Sequence, residues 1–375
     1  METDSGVLFV SGTLEVGGSE TKVVKIANAL AQAGYSVGVA YLNSPETLLE
    51  RISPDVSVVH LRRRGKFSIN SVRRLRSLVA GRYRVVLAVN FYPLLYVLPA
   101  VKLLSRGQGK AICLINTTDF VDGQWVWGHF YAPFLRRCDQ LVYGCEAQQR
   151  LWTMKYRLPT KRSTYIYNGV DSDVFSPAAI GNEAARFRVE FGIPEGAIVI
   201  GSVGRFAPEK NFEILIQAIA SLHTTGRDVY LVLVGDGNEK SALQAAAGRH
   251  GILERIVFPG VLKDVRPAFS AMDVFVLPSR AVETFSNAAL EAMAMARPVV
   301  LTNIGGAPEM VEHGKSGYLF EVGNVASLVH LLIALYDSGA LRDRIGHAAR
   351  NRVMEQFQFG AMLDGYKALL DSAMH

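Results

Sequence analysis

The sequence predicts an α/β chain of two doubly wound units that face one another across a cleft, followed by a helical C-terminus. Three observations predict it. Apolar strand-type runs alternate with helix-type stretches twice over, a turn-rich break separates the two series, and 375 residues are more than one small core organises. With 49% apolar and 20% charged residues the composition is that of an ordinary globular chain, which excludes the disordered and collagen-like classes.

The first series opens with a strand over 7–10, a helix over 20–33 and a strand over 36–42, and continues with strands over 85–89 and 111–115. Such alternation argues for a parallel sheet covered by helices. Turn signals then crowd together over 168–192, among them Asn168-Gly169, Ser176-Pro177 and Gly181-Asn182. The second series follows: strand 197–203, helix 212–222, strand 229–234, helix 240–250, strands 256–258 and 274–277, helix 287–296 and strand 298–301. Helices over 327–335, 341–356 and 360–373 close the chain with no further strand pattern. The expected limits are therefore 1–175 for the first unit, 176–355 for the second, and 356–375 for a C-terminal helix that packs back on the first.

Charge divides along the same line. Residues 1–175 carry 22 Lys+Arg against 13 Asp+Glu, and the rest carry 18 against 21. The basic half should meet something anionic. Arg62, Arg63, Arg64, Arg73, Arg74 and Arg76 lack the interleaved aromatics of nucleic-acid readers, so no nucleic acid is expected as a partner. Peripheral contact with an anionic membrane, a phosphorylated acceptor, or a plain solvated face are the readings left. The longest apolar stretch, 91–101, has eleven residues and two prolines, against the ~20 that a membrane-crossing helix needs. Glu2 and Asp4 precede the first apolar run where a secretory leader has a basic start, so the expected location is the cytoplasm, at the inner face of the membrane. Cys113, Cys138 and Cys145 are odd in number and lack metal-ligand spacing, which points to free thiols rather than disulfides or zinc.

Three loops that follow strands carry the chemistry. Gly12-Thr13-Leu14-Glu15-Val16-Gly17-Gly18-Ser19 joins the first strand to the first helix, and its glycines let a phosphate approach helix N–H groups; a tight turn is the plainer reading. The dinucleotide spacing Gly-x-Gly-x-x-Gly is absent. In Gly204-Arg205-Phe206-Ala207-Pro208-Glu209-Lys210-Asn211, Arg205 offers a fork of donors to a phosphate and Lys210 a point charge, or both are solvated loop cations. The third loop, 278–286, runs into an alanine-rich helix. Glu283 precedes this helix and Glu291 lies within it between apolar neighbours, where a carboxylate is costly to bury without partners such as ligand hydroxyls. Thr284, Phe285 and Ser286 lead into the helix start, whose N–H groups suit a phosphate. The plainer readings are a carboxylate favoured by the helix dipole for Glu283 and a salt-bridged surface group for Glu291.

Taken together, Glu283 and Glu291 with seven residues between them, Gly204-Arg205-Phe206 with Glu209-Lys210-Asn211, Asn168-Gly169-Val170-Asp171 with Phe175, Val234-Gly235-Asp236-Gly237 and Gly305-Gly306-Ala307-Pro308-Glu309 form a recognisable set. The chain resembles the retaining family 4 glycosyltransferases over nearly its whole length. The resemblance implies a GT-B fold of two Rossmann-like domains, the acceptor held mainly by the first and a nucleoside diphosphate sugar mainly by the second, with no metal ion and no cofactor. It implies that Arg205 and Lys210 neutralise the diphosphate, Glu291 holds the ribose, Glu283 contacts the donor sugar, and Gly18 beside Gly17 approaches the diphosphate from the other domain.

One departure matters. Many relatives have a histidine after the strand that ends at Ile115, and here the stretch reads Asn116-Thr117-Thr118-Asp119. A histidine contact to the sugar therefore does not carry over, while Asp119 stands as a candidate for positioning the acceptor hydroxyl or taking its proton, or as a helix cap. Trp125, Trp127, His129, Phe130, Tyr131 and Phe134 form a dense aromatic cluster, read either as core or as a sugar-stacking face. Residues 91–104 are read as core packing or as a segment near the membrane interface. The function that follows is a retaining transfer of a sugar, from a UDP-sugar first of all, to a saccharide or lipid-linked acceptor in cell-surface polysaccharide or glycolipid synthesis. A nucleotide-sugar epimerase or hydrolase, or a silent nucleotide-sugar-binding subunit, are the alternatives on the same fold.

Overall fold

The computed structural model describes residues 6–80, 82–103, 109–117, 125–281 and 283–374. Two compact units divide the chain: Met1–Tyr167 with Met362–His375, and Asn168–Ala361.

The first unit holds a seven-stranded sheet in the order β3-β2-β1-β4-β5-β6-β7, with every pairing parallel. Its strands are β1 (Gly6–Ser11), β2 (Val37–Tyr41), β3 (Ser57–His60), β4 (Tyr83–Val89), β5 (Lys110–Ile115), β6 (Gln140–Tyr143) and β7 (Ser163–Tyr165). Central strands such as β1 and β5 are apolar on both faces because helices cover both sides, so their sequence runs rather than alternates. Strand order reverses between β1 and β4, and the loops leaving the carboxyl ends of these two strands part to opposite faces. That parting leaves a crevice in which such sheets hold ligands.

The second unit repeats the plan with six parallel strands in the order β10-β9-β8-β11-β12-β13. They are β8 (Ile198–Val203), β9 (Val229–Val234), β10 (Ile256–Gly260), β11 (Val274–Leu277), β12 (Val299–Thr302) and β13 (Tyr318–Phe320). Here the reversal falls between β8 and β11. Each unit has its own core. Leu8, Val10, Val86 and Cys113 sit in one, and Ile200, Leu231, Val276 and Val300 in the other, with the stripe Leu215, Ile219 and Leu222 of the helix Glu213–Thr224 packed on the second.

Two expectations change. A strand does follow the last one read from sequence: β13, three residues long, is too short to show a pattern and is held by its parallel pairing to β12. Segment 168–175 belongs to the second unit, since Val170 N–H donates to the Phe357 carbonyl (2.9 Å) and Arg350 Nη1 to that of Phe175 (3.1 Å). Of the two readings of 91–104, the helix Phe91–Leu98 takes the core one, with Phe91, Leu94, Tyr96 and Val97 buried. At the other end, the helix Phe359–Met374 contributes to the first unit from Met362 onward, where Tyr35 Oη donates to Asp371 (2.9 Å). No single helix among the described residues is long and apolar enough to cross a membrane.

Candidate active site

The two loops at the reversal of the second sheet converge. Arg205, Glu209 and Lys210 leave β8, Ser279, Arg280 and Glu283 leave β11, and the Arg280 N–H donates to the Glu209 carbonyl (2.9 Å), tying one loop to the other. Lys210 Nζ lies 2.6 Å from Glu283 Oε2, which also accepts from the Ser279 hydroxyl at 2.7 Å. The side chains are 23% exposed for Lys210 and 12% for Glu283, and Ser279 is buried, so this ion pair is shielded far more than a surface pair. Arg205 stands apart from the pair. Its side chain is 74% exposed and bridges to Glu209 (2.9 Å), leaving the guanidinium fork in solvent.

Glycines hold the backbone of this site. Gly305, at φ +54°, stands so close to the Glu283 carbonyl that a Cβ added there would meet that oxygen at 1.7 Å, and the Gly306 N–H donates to the Thr284 carbonyl (2.7 Å). Gly235 (φ +135°) and Gly237 (φ +153°) press likewise on the carbonyls of Gly204 and Phe206, where a Cβ would lie 2.0 and 2.3 Å away. The diglycine and Val-Gly-Asp-Gly motifs are thus scaffolds: one carries the Glu283 loop, the other the Arg205 loop. Asn168 does the same through its amide, Nδ2 donating to the Phe285 carbonyl (2.6 Å).

Thr284, Phe285 and Ser286 are buried, and Ser286 caps the helix Asn287–Ala294 by accepting from the Ala289 N–H (3.2 Å). Glu291 lies half-buried on that helix. Neither carboxylate is therefore a plain surface group. Sequence reasoning missed Ser279; its place two residues past an apolar strand was the available signal, but a serine in a loop carries little on its own.

In the first unit, Gly17 is extended (φ −156°) at the start of the helix Gly18–Gln32, and Gly18 is exposed. Side-chain hydrogen bonds from Gln148, Asn90 and Lys22 organise what lies near the carboxyl ends of β4 and β5. The buried Gln148 accepts from the Gly144 N–H (2.7 Å) and donates to the Ile115 and Thr117 carbonyls (2.9 and 2.6 Å), clamping the chain around Asn116. Asn90, at φ +67°, accepts through Oδ1 from the Asn116 N–H (3.0 Å). Lys22, buried on the helix Gly18–Gln32, donates from Nζ to Asn116 Oδ1 (2.5 Å). Burial pushes its ammonium down to about 8 from 10.5, with Glu20 pulling the other way. None of Lys22, Asn90 and Gln148 was singled out from sequence, because a lysine, an asparagine and a glutamine gain meaning only from what they face. Asp119 lies outside the described residues.

The aromatic cluster is not core throughout. On the helix Trp125–Leu135, Tyr131 is buried, but Trp127 (51%) and Phe130 (47%) are exposed and meet edge to face at 5.7 Å. His129 is exposed as well. Among the basic residues, Arg63 is drawn to Tyr92 (2.6 Å to Oη), while Arg62, Arg64, Arg73, Arg74 and Arg76 are exposed beside exposed Phe67 and Ile69. All three cysteines are free and buried, and burial pushes the Cys138 thiol up to about 12, which disfavours a nucleophilic thiolate. Among the described residues no three His, Cys, Asp or Glu side chains cluster as metal ligands do.

Comparison with known proteins adds the following. The profile described as "Glycosyl transferases group 1" matches residues 183–352, and that described as "Glycosyltransferase Family 4" matches 16–174. The chain is 30% identical over 211 residues to the N-acetyl-alpha-D-glucosaminyl L-malate synthase of Bacillus anthracis, covering 56% of this chain and 54% of that one. It is 33% identical over 192 residues to the lipopolysaccharide core biosynthesis glycosyltransferase LpsE of Rhizobium meliloti, covering 51% and 55%. It thus spans about half the length of the curated relatives it matches. Among solved structures, Anabaena HepE in complex with UDP superposes with a TM-score of 0.85 at 22% identity, over 98% of this chain and all of that one.

Proposed function

Because the chain belongs to the group 1 and family 4 glycosyltransferases and has their GT-B fold, we propose that it is a retaining glycosyltransferase that moves a sugar from a nucleoside diphosphate sugar to a saccharide or lipid-linked acceptor. The observation that carries this reading is the shielded Lys210–Glu283–Ser279 cluster at the β8/β11 reversal, with Arg205, exposed and bridged to Glu209, on the Lys210 loop. Arg205 and Lys210 supply positive charge where negative charge grows on the leaving diphosphate, and charge placed in advance costs no reorganisation during reaction. Glu283 orients Lys210 and offers an acceptor to sugar hydroxyls, and Glu291 accepts from the ribose.

The acceptor oxygen forms its bond to the anomeric carbon on the face from which the bond to the diphosphate breaks. The acceptor proton passes to the departing phosphate oxygen, so the products are a glycoside of unchanged anomeric configuration and a nucleoside diphosphate. Asp119 is the proposed positioner of the acceptor hydroxyl. UDP is the proposed nucleotide; HepE, in the structures that resemble this fold, binds UDP and UDP-glucose. The first unit takes the acceptor, in polysaccharide or glycolipid assembly at the cytoplasmic face of an anionic membrane.

Proton NMR tests this with purified protein, a panel of UDP- and GDP-sugars, and a membrane extract containing polyprenyl phosphate. Loss of one axial donor signal only when extract is present, with an axial product and no effect of EDTA, is the expected result. Acceptor-independent conversion points to an epimerase or hydrolase, and saturable binding with no turnover to a silent subunit; either overturns the reading.

A further inference from the structure

The second unit has a cavity outside the Lys210–Glu283–Ser279 cluster. It measures about 330 Å³ and lies between the start of the helix Glu213–Thr224 and the helix Lys240–Arg249, with Pro208 of the Arg205 loop and Arg280 of the Glu283 loop on its wall. That volume is in the range of ~300–1,000 Å³ typical of small-molecule sites. Arg205, Lys210 and Glu283 do not line it, so it is distinct from the donor cluster described above. Two kinds of surface meet on the wall. Buried Phe212 and Leu243, with exposed Ala242 beside them, make an apolar patch. Around it stand charges that cancel: Arg249 is bridged to Glu213 at 3.7 Å, and Arg280 and Glu239 add one cation and one anion. The side chains of Asn211, Glu239 and Arg280 make no hydrogen bond or ion pair among the described residues. A carboxamide, a carboxylate and a guanidinium are thus left open around one hollow.

We propose that this cavity is a saccharide-binding site of the second unit, separate from the site of the nucleotide sugar, and that it takes a neutral sugar of one or two rings. The wall selects this class in three ways. Two guanidiniums and two carboxylates leave no net charge, so neither a phosphate nor a cation gains from entering. Hydroxyls both donate and accept, and they match a guanidinium that only donates, a carboxylate that only accepts and a carboxamide that does both. The C–H face of a sugar ring covers the apolar patch and removes it from water. Position in the chain gives the site a consequence. Pro208 and Asn211 flank Glu209 and Lys210, and Arg280 follows Ser279, so a ligand in the cavity meets both loops that the proposed function gives to the donor. Saccharide binding is therefore coupled to donor binding, and such coupling is reciprocal. The class of ligand rests on the wall alone, whereas the coupling to a nucleotide sugar rests on the glycosyltransferase reading.

The test is saturation-transfer NMR on the full-length protein with cellobiose, maltose and lactose, and with inorganic phosphate and glycine as anionic and zwitterionic competitors. A saturable signal from at least one disaccharide, displaced by neither competitor, is the expected result. Ala242→Trp places an indole in the cavity from an exposed helix position, so the fold is kept and binding should weaken at least tenfold. Asn211→Gly removes the amide together with the left-handed strain at φ +52°, so it should melt no lower than the wild type while binding weakens about tenfold, the equivalent of about 1.4 kcal/mol. A merely structural role for Asn211 would lower the melting temperature and leave binding intact. In calorimetry, the affinity for UDP should change at least twofold when the disaccharide saturates the wild type, and stay constant in Ala242→Trp. No saturable signal from any of the three disaccharides, equal binding in the wild type and both variants, or displacement by phosphate or glycine would each overturn the site, and a UDP affinity indifferent to the disaccharide would overturn the coupling. Disaccharide binding that the variants weaken, in a protein that binds no UDP, would instead sink the glycosyltransferase reading and leave the saccharide site standing.

Discussion

Replacing Gly305 by alanine isolates how far the site depends on the backbone of the Glu283 loop. At φ +54° an alanine pays about 1 to 2 kcal/mol of left-handed strain. Its Cβ would also lie 1.7 Å from the Glu283 carbonyl oxygen and 2.9 Å from the carbonyl carbon. The oxygen has to withdraw by more than about 1 Å before that contact stops being repulsive. It cannot do so alone, because the next carbonyl, that of Thr284, is held by the Gly306 N–H and the following one by Asn168. The displacement therefore passes to Glu283, whose carboxylate must stay within 2.6 Å of Lys210 and 2.7 Å of Ser279. Misplacement on the 1 Å scale costs on the order of 100-fold in rate. Gly323→Ala is the matched control: φ is +74° there, and an added Cβ meets nothing within 4 Å, so strain is present without collision. Initial rates of sugar transfer and thermal melts on both variants are the assay. The expected result is a comparable loss of stability from strain in each, with kcat/KM lowered 10- to 100-fold in Gly305→Ala alone. Equal kcat/KM in the two variants would refute the claim that the diglycine sets the position of Glu283.

Three further outcomes follow from the same geometry. Lys210→Met leaves the 12% exposed Glu283 carboxylate without its cation, and should lower stability by about 1 to 3 kcal/mol and transfer by at least 100-fold; if adding Glu283→Gln restores the stability but not the transfer in a double-mutant cycle, the pair is both coupled and functional. Reversing Arg73, Arg74 and Arg76 to glutamate, all exposed on the helix Ile69–Val79, should weaken binding to phosphatidylserine vesicles more than 100-fold at low salt, at about 1 kcal/mol per basic residue, and unchanged co-sedimentation would remove this face as the docking surface. The Lys22 ammonium, held near 8 in the folded chain against 10.5 when unfolded, is protonated in both states below pH 8, so its burial cost is fully present there and fades as pH rises toward 10.5. The difference in stability between Lys22→Met and the wild type should accordingly shift in favour of the wild type as pH rises from 8 toward 10.5, read in urea melts at a series of pH values.

What could be read in the sequence and what could not separate by the range of the interaction. Central strands announce themselves because both faces are buried and each residue in the run must be apolar, as in Val85-Val86-Leu87-Ala88-Val89; the edge strand β3, with Val58 38% exposed, and the three-residue β7 and β13 carry no such signal. Loops behave in the same way. Glycines at 235, 237 and 305 stand out in the sequence, and the reason they are needed, a carbonyl oxygen within 2.3 Å of where a Cβ would go, comes from a segment tens of residues away. The pairing of Lys210 with Glu283 crosses 73 residues, and that of Lys22 with Asn116 crosses 94. The first joins the loops of the two strands at a reversal, β8 and β11; the second reaches from the helix after β1 past β4 to the end of β5. Once the two reversals are placed, the carboxylate of Glu283 and the amide of Asn116 become comparable objects: each is a polar group at the carboxyl end of a sheet, oriented by a lysine from a neighbouring segment. In the second unit that lysine was expected, because loop and motif marked it. In the first it was not, because Lys22 sits in the interior of an ordinary amphipathic helix, where its spacing reads as one more residue of the buried stripe beside Val23 and Ile26. A cation on the apolar face of such a helix is therefore a signal that sequence does contain, and its physical content is a desolvation cost that partners met in the fold have to offset.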